Sequence, residues 1–241
     1  MRKYAIILLA LLVFAACEKE EKHQYEVQRI SSIEEFSADG SIRHLSTYTY
    51  LDDGYIIRKT VNGELESVSR LLWDEKVQIQ TDSIVVDGVL QPNRTYIVYF
   101  RDINQSSADS VVVRNGAGDK IAVDKYTYDT NWYSIDTYEA GQPTTRKVFS
   151  SFYGTQSVEN YAYDTEAKNW KYVNKEETIT SYDYDLTTVT TYVDNVAKEK
   201  TIYQSLNGKV EFKRYEHDGA SSWNLTGYGT YFYETLTLTL G

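Results

Sequence analysis

The chain has 241 residues, and its 35 acidic side chains outnumber 25 basic ones, which gives a net charge of −10. This acidic balance argues against nucleic-acid binding, which needs a basic surface to displace counterions, and against electrostatic attachment to anionic lipid. With 23 tyrosines, only two prolines and abundant threonine, the composition favours pleated β-sheet.

The first segment, residues 1–22, reads MRKYAIILLALLVFAACEKEEK. Arg2 and Lys3 precede twelve apolar residues, which fit a signal-peptide core and fall short of the roughly 20 that a membrane-spanning helix needs. The last two of these apolar residues are alanines, and they precede Cys17, the only cysteine of the chain. This arrangement resembles the lipobox of bacterial lipoproteins. The resemblance implies cleavage after residue 16 and acylation of Cys17, with palmitate among the attached chains.

Cleavage would leave 23 basic and 35 acidic side chains, a net charge of −12. The attachment would then come from acyl chains, which contribute on the order of 0.8 kcal/mol per buried CH₂. The run CEKEE at residues 17–21 resembles the export signal of surface lipoproteins in the Bacteroidota. It implies an outer-membrane protein, lipid-anchored and facing the cell surface; the alternative is a plain solvated tether.

We therefore predict a signal peptide at 1–16, an acidic tether at 17–30 and a single β-rich domain at 31–241. A short helical turn is expected only near Ser31–Phe36, where serines precede two glutamates. Asn62-Gly63 and Asn207-Gly208 are dipeptides typical of type I′ hairpin turns. Alternating apolar residues flank both turns, which predicts an antiparallel meander.

From about residue 121, a loose Tyr/Trp repeat follows. Each copy is four residues long: a Tyr, any residue, a Tyr or His, and an Asp. The copies end at Asp129, Asp164, Asp185 and Asp218. Tryptophan follows three of them. Aspartates at strand ends can accept hydrogen bonds from turn amides, and the tryptophan would begin the return strand. The pattern resembles the YD repeat of secreted bacterial β-shell proteins and Rhs-type toxins, and implies an extended hairpin meander.

The last segment, YFYETLTLTLG, alternates apolar and polar residues as a two-faced strand does. An outer-membrane barrel also ends in such a strand, but its strands need a lipid-facing apolar band. Here strands such as KVEFKRYEHD carry many charges, which favours a water-exposed sheet. The predicted fold is all-β: an antiparallel hairpin meander forming an extended, curved or partly closed sheet.

No motif for catalysis, for a metal or for a cofactor is found in the sequence. The nucleophile motif G-x-S-x-G is missing, Cys17 is assigned to the anchor, and the three histidines lack metal-binding spacing. Glycoside hydrolysis needs two carboxylates across a cleft, and nothing selects a pair among 35 acids. We expect a protein that is not an enzyme, with a glycoside hydrolase as the weaker alternative.

Aromatic residues near the predicted turns are the remaining functional candidates. Such rings can be ligand platforms or interface anchors, although packing between strands would explain them equally. The candidates are Trp132, Tyr133, Trp170, Tyr172 and Trp223. The sequence thus predicts non-catalytic binding of a glycan or a partner protein, with a structural or envelope-assembly role in the periplasm as the alternative.

Overall fold

The computed structural model describes residues 23–74, 76–101, 107–206 and 208–240, with the side chains of those between 26 and 236. Cys17, the signal peptide and Asn207 lie outside the described residues. The described residues form sixteen β-strands and no helix. The strands are β1 His23–Ser37, β2 Arg43–Leu51, β3 Gly54–Val61, β4 Glu64–Asp74, β5 Val77–Val86, β6 Val89–Phe100, β7 Ala108–Asn115, β8 Lys120–Tyr128, β9 Trp132–Glu139, β10 Gln142–Phe152, β11 Thr155–Asp164, β12 Asn169–Asp183, β13 Leu186–Val193, β14 Val196–Leu206, β15 Lys209–His217 and β16 Trp223–Leu240.

Each strand pairs antiparallel with the next one in sequence, and β1 pairs with β16 to close the sheet into a barrel. The predicted all-β antiparallel meander is confirmed, and the closure goes beyond the partly closed sheet expected from sequence. β1 begins at His23, so residues 23–30, expected in the tether, are strand.

The tight turns follow from the residues predicted to make them. Asn62 and Gly63 both adopt positive φ, at 51° and 90°, as a type I′ turn requires. Asp164 and Asp218 act as expected of the repeat aspartates: the Asp164 carboxylate accepts hydrogen bonds from the Glu166 and Ala167 amides, each at 2.9 Å, and that of Asp218 accepts from its own turn. Asp185 instead accepts from the Gln204 side-chain amide at 3.2 Å. Trp132 and Trp223 begin return strands, as predicted.

Two glycines allow the closing pair of strands to approach each other. A Cβ at Gly229 would lie 2.1 Å from the carbonyl oxygen of Glu34, and one at Gly227 would lie 2.9 Å from that of Phe36. The Ser31 hydroxyl donates to the carbonyl of Phe232 at 3.2 Å. The helical turn predicted at Ser31–Phe36 is therefore wrong, because pairing with β2 and β16 holds this segment as strand.

The chain divides into two compact units, the barrel of residues 30–234 and a unit formed by the two terminal segments. The chain ends of the barrel, Ile30 and Glu234, lie at the same end as the turns at 52–53, 129–131, 153–154 and 184–185, which we call the terminal rim. The opposite end, the distal rim, carries the turns at 38–42, 62–63, 87–88, 116–119, 140–141, 165–168, 194–195 and 218–222.

Strand register and burial together identify the inner wall. Side chains alternate between the two faces of each strand, and those of a concave face crowd together. The most buried side chains, apart from Ser134, share one face: Leu71, Val111, Val113, Thr191 and Phe212. We assign this face to the interior. Among the described residues no large side chain is completely buried, because a barrel of this strand number is too wide for side chains to fill.

Candidate functional site

The inner wall is divided along the barrel axis into two belts. The half nearer the terminal rim, which we call the aromatic belt, consists of Tyr48, Tyr50, Tyr55, Trp73, Tyr126, Tyr128, Tyr133, Phe149, Tyr203, Phe212 and Tyr231. The half nearer the distal rim, the charged belt, consists of Glu35, Lys59, Asp82, Arg94, Asp124, Glu139, Lys147, Glu176, Glu199, Arg214 and Glu216. The interior therefore changes from aromatic to ionic along its length.

Four rings of the aromatic belt form a ladder across β8, β9 and β10. Tyr126 stacks on Tyr128 with ring centroids 6.2 Å apart, Tyr128 on Tyr133 at 5.8 Å, and Tyr133 on Phe149 at 4.6 Å with planes 3° apart. Cross-strand pairing of Tyr128 with Tyr133, and of Tyr133 with Phe149, sets this spacing. The rings are only partly buried, so a flat ligand ring has apolar surface to rest on.

A cavity of about 460 Å³ adjoins this ring ladder on its distal side. Its polar lining comes from Arg94 and Tyr96 on β6, Asp124 on β8, and Thr137 and Glu139 on β9. Carboxylates only accept hydrogen bonds at neutral pH and guanidinium only donates them. The cavity therefore offers both donors and acceptors beside an aromatic surface, as polar ligand pockets do.

Asp124 is the most perturbed acid of the cavity. Burial raises its pKa, while a hydrogen bond from the Thr137 hydroxyl at 2.7 Å and the charge of Lys147 lower it less strongly. Burial also raises the pKa of Tyr126, next along β8, to about 12. Both shifts show that this part of the wall is shielded from water. Asp124 is held by Thr137 in one orientation, as a ligand-binding carboxylate should be.

Trp132, next to Tyr133 in sequence, lies on the opposite face of β9. It lines an outer groove of about 340 Å³ with Ser134, Arg146 and Val148. The Arg146 guanidinium donates two hydrogen bonds to Asp136, at 2.6 and 2.7 Å. These bonds raise the pKa of Arg146. Because Asp136 already neutralises Arg146, the groove offers an indole face but little free charge.

The other predicted aromatics also lie on the outer wall. The Trp170 ring lies 4.6 Å from the Arg146 guanidinium carbon and packs edge-on against Tyr163. The Tyr172 hydroxyl donates to Asp194 at 2.9 Å. Trp223 packs against His217 and under the Lys200 ammonium. The structure therefore brings Trp170 near Arg146, leaves Trp223 apart, and places only Tyr133 in the interior.

The outer wall of the described strands carries no continuous apolar band. Basic side chains point outward from the middle of many strands: Arg58, Arg70, Lys125, Arg146, Lys175, Lys200 and Lys213. Each would cost about 2–4 kcal/mol at the midplane of a bilayer. The wall is therefore suited to water rather than to lipid hydrocarbon, as the charged strands of the sequence predict. In the described part of the chain, no helix is long and apolar enough to cross a membrane.

Sequence reasoning missed most of the interior site, including Arg94, Asp124 and the first aromatic cluster at Tyr48, Tyr50 and Tyr55. The available signal was the spacing of two between tyrosines, which places both on one strand face. That spacing does not tell which face is inside, because Tyr161 and Tyr163 have it and point outward. Within the described residues, no three histidines, cysteines or acids lie close enough to hold a metal ion.

No protein-family model matches the chain, and a search of curated proteins finds no match. Among solved structures, the barrel is similar to a porin-like protein from Bacteroides uniformis, with a TM-score of 0.53 at 12% identity over 86% of this chain and 96% of that one. A protein with unknown function from Bacteroides fragilis also matches, with a TM-score of 0.27 at 15% identity over 67% of this chain and 93% of that one. The porin-like similarity supports the barrel fold, which is consistent with an outer-membrane location.

Proposed function

We propose that this chain is a lipid-anchored outer-membrane protein that faces the cell surface and binds a neutral glycan, without catalysis, inside its barrel. The observation that carries the proposal is the ring ladder of Tyr126, Tyr128, Tyr133 and Phe149 beside the cavity of Asp124. A sugar ring has an apolar face that packs on aromatic rings, and its hydroxyls both donate and accept hydrogen bonds.

The mixed charge of the cavity supports a neutral ligand over an ionic one. Arg94 lines the cavity with one positive charge, Asp124 and Glu139 line it with two negative ones, and the charge of Lys147 acts on Asp124 from nearby. With charges this close to balance, the cavity has little net charge to attract an ion. Its charged side chains can form hydrogen bonds with sugar hydroxyls, and such bonds are stronger than those between two neutral groups.

The lipid anchor provides the membrane attachment that the charged outer wall does not. Basic residues in mid-strand make burial in a bilayer costly, so attachment by acyl chains at Cys17 fits this barrel better than insertion of the barrel itself. Replacement of Cys17 by Ser should release the chain from the membrane fraction, whereas the wild-type chain should stay in it. Equal retention of both would contradict the anchor.

Two neighbouring residues provide a matched test of the binding site, because Tyr133 faces the interior and Trp132 faces out. The full chain is titrated calorimetrically with maltohexaose, cellohexaose and mannohexaose. We expect Tyr133→Ala to weaken binding about tenfold, the loss of roughly 1.4 kcal/mol of stacking, and Trp132→Ala to leave it unchanged.

The reverse result, with Trp132→Ala abolishing binding and Tyr133→Ala retaining it, would move the site to the outer groove. Failure of the wild-type chain to bind any of the three hexasaccharides would contradict the glycan proposal.

A further inference from the structure

The terminal rim carries four highly exposed aromatic side chains on two adjacent hairpins. At the hairpin of β10 and β11, Phe152 is 73% exposed at the end of β10 and Tyr153 is 92% exposed in the turn; at the hairpin of β12 and β13, Tyr182 is 78% exposed near the end of β12 and Tyr184 is fully exposed in the turn. The Phe152 and Tyr153 rings lie 4.3 Å apart, edge to face. Large apolar groups exposed together in this way usually mark an interaction surface.

Two of these tyrosines occupy backbone positions that disfavour them. Tyr153 and Tyr184 have φ of 44° and 52°, in the left-handed region where a bulky side chain is a genuine outlier. At the distal rim, the described left-handed turn positions are filled by glycine, by Asn62, Asp87, Asp194 and Asn195, and by Ala140 and Lys168, but by no aromatic residue. A tyrosine is thus kept at the terminal rim where asparagine or glycine would fit with less strain.

The terminal rim is also where the chain enters and leaves the barrel, at Ile30 and Glu234. Cys17 precedes Ile30 by thirteen residues, which span at most about 45 Å when extended. Resting on the lipid anchor proposed above, we propose that the terminal rim lies against the outer leaflet of the membrane. The rings of Phe152, Tyr153, Tyr182 and Tyr184 then sit among the lipid headgroups.

Ring chemistry and charge indicate the kind of lipid surface. Tyrosine favours the headgroup region, where its ring is apolar and its hydroxyl stays wet. Asp183 and Asp185 flank Tyr184 and lie at the same rim, and carboxylates are repelled by anionic lipid. The surface that fits is therefore a zwitterionic headgroup layer. In this orientation the charged belt opens away from the membrane.

The test compares the two ends of β13, since Tyr184 precedes this strand at the terminal rim and Asn195 follows it at the distal rim. Both residues have positive φ, so Tyr184→Cys and Asn195→Cys are matched sites for a nitroxide label. The full lipidated chain, with Cys17 acylated and so unlabelled, is reconstituted into phosphatidylcholine vesicles. Accessibility of the label to oxygen, which concentrates in lipid, and to a water-soluble nickel chelate is measured by electron paramagnetic resonance.

We expect the label at 184 to be at least threefold less accessible to nickel than the label at 195, with higher oxygen accessibility. If the chain floats with the vesicles but both labels are equally accessible to nickel, the rim proposal is overturned while the anchor stands. If the chain does not float with the vesicles, the rim proposal and the anchor are both overturned.

Discussion

The terminal and distal halves of the barrel share one strand architecture but differ in chemistry. The terminal half has the aromatic belt inside and exposed rings on its turns. The distal half has the charged belt inside, and its turns are stabilised by aspartates that accept amide and hydroxyl hydrogen bonds, as Asp39 and Asp218 do. Because the barrel wall is a single β-sheet, its two ends can be adapted to different surroundings while the hairpin framework stays constant.

The largest expected effect comes from breaking the packing of the aromatic belt. Phe212 is 2% exposed and packs against Tyr203 and Tyr231, whereas Phe232 is 38% exposed on the outer face. We expect Phe212→Ala to lower the free energy of unfolding by about 3 kcal/mol, the usual cost of truncating a buried phenylalanine. Urea denaturation followed by tryptophan fluorescence measures the change.

Phe232→Ala is the matched control for this change. It removes the same ring from the outer wall, so we expect it to cost less than about 1 kcal/mol. Equal losses for the two variants would mean that the inner wall is no better packed than the outer one.

A smaller effect, of opposite sign, is expected at the terminal turns. Tyr153→Asn and Tyr184→Asn place a residue that tolerates positive φ at both strained positions. Each should raise the free energy of unfolding by up to about 1 kcal/mol. Asn195→Tyr at the distal rim is the reciprocal control and should destabilise the fold by a similar amount. A loss of stability in both asparagine variants would show that the tyrosines stabilise their turns.

The smallest expected effect is a pH dependence that differs between the interior and the distal rim. The pKa of Asp124 is raised by burial, so above pH 3.8 the folded state holds this proton more tightly than the unfolded state does. Stability then falls as pH rises through the raised pKa. The difference in the free energy of unfolding between Asp124→Asn and wild type should therefore favour the variant more at pH 7 than at pH 4.

The pH dependence of stability that Asp39 contributes has the opposite sign to that of Asp124. Hydrogen bonds from the Ser37 hydroxyl and the Ser41 amide lower its pKa to about 2. Its contribution to stability is thus present above pH 3.8 and is lost as pH falls towards 2. Asp39→Asn should remove that loss. Unfolding curves recorded from pH 2 to pH 8 compare the two variants, and the same slope in both would contradict the difference between the interior and the rim.

Much of the fold could be predicted from the sequence because each hairpin is specified locally. Turn residues such as Asn62 and Gly63 and the alternation around them give the strands and their order. The closure could not be predicted, since it depends on Gly227 and Gly229 meeting β1 more than 190 positions away. The mistaken helical turn at Ser31–Phe36 lies in this same closing pair, where tertiary pairing overrides local preference.

Less of the candidate site could be predicted. The sequence identifies aromatic residues near turns, but both faces of the sheet carry tyrosines and charges, so hydrophobic alternation does not separate inside from outside. Trp132 and Tyr133 illustrate the problem, because one step along the chain moves a side chain from the outer groove to the ring ladder. Only the curvature of the closed sheet determines which face is enclosed.

The order of the strands has a consequence for how the protein folds. Every pairing but one joins neighbours in the sequence, so hairpins can form early and extend the sheet one strand at a time. The pairing of β1 with β16 must wait until the last strand has been synthesised. Until then both edge strands expose unpaired amides to other chains, and a slow final closure would make aggregation the main competitor of folding.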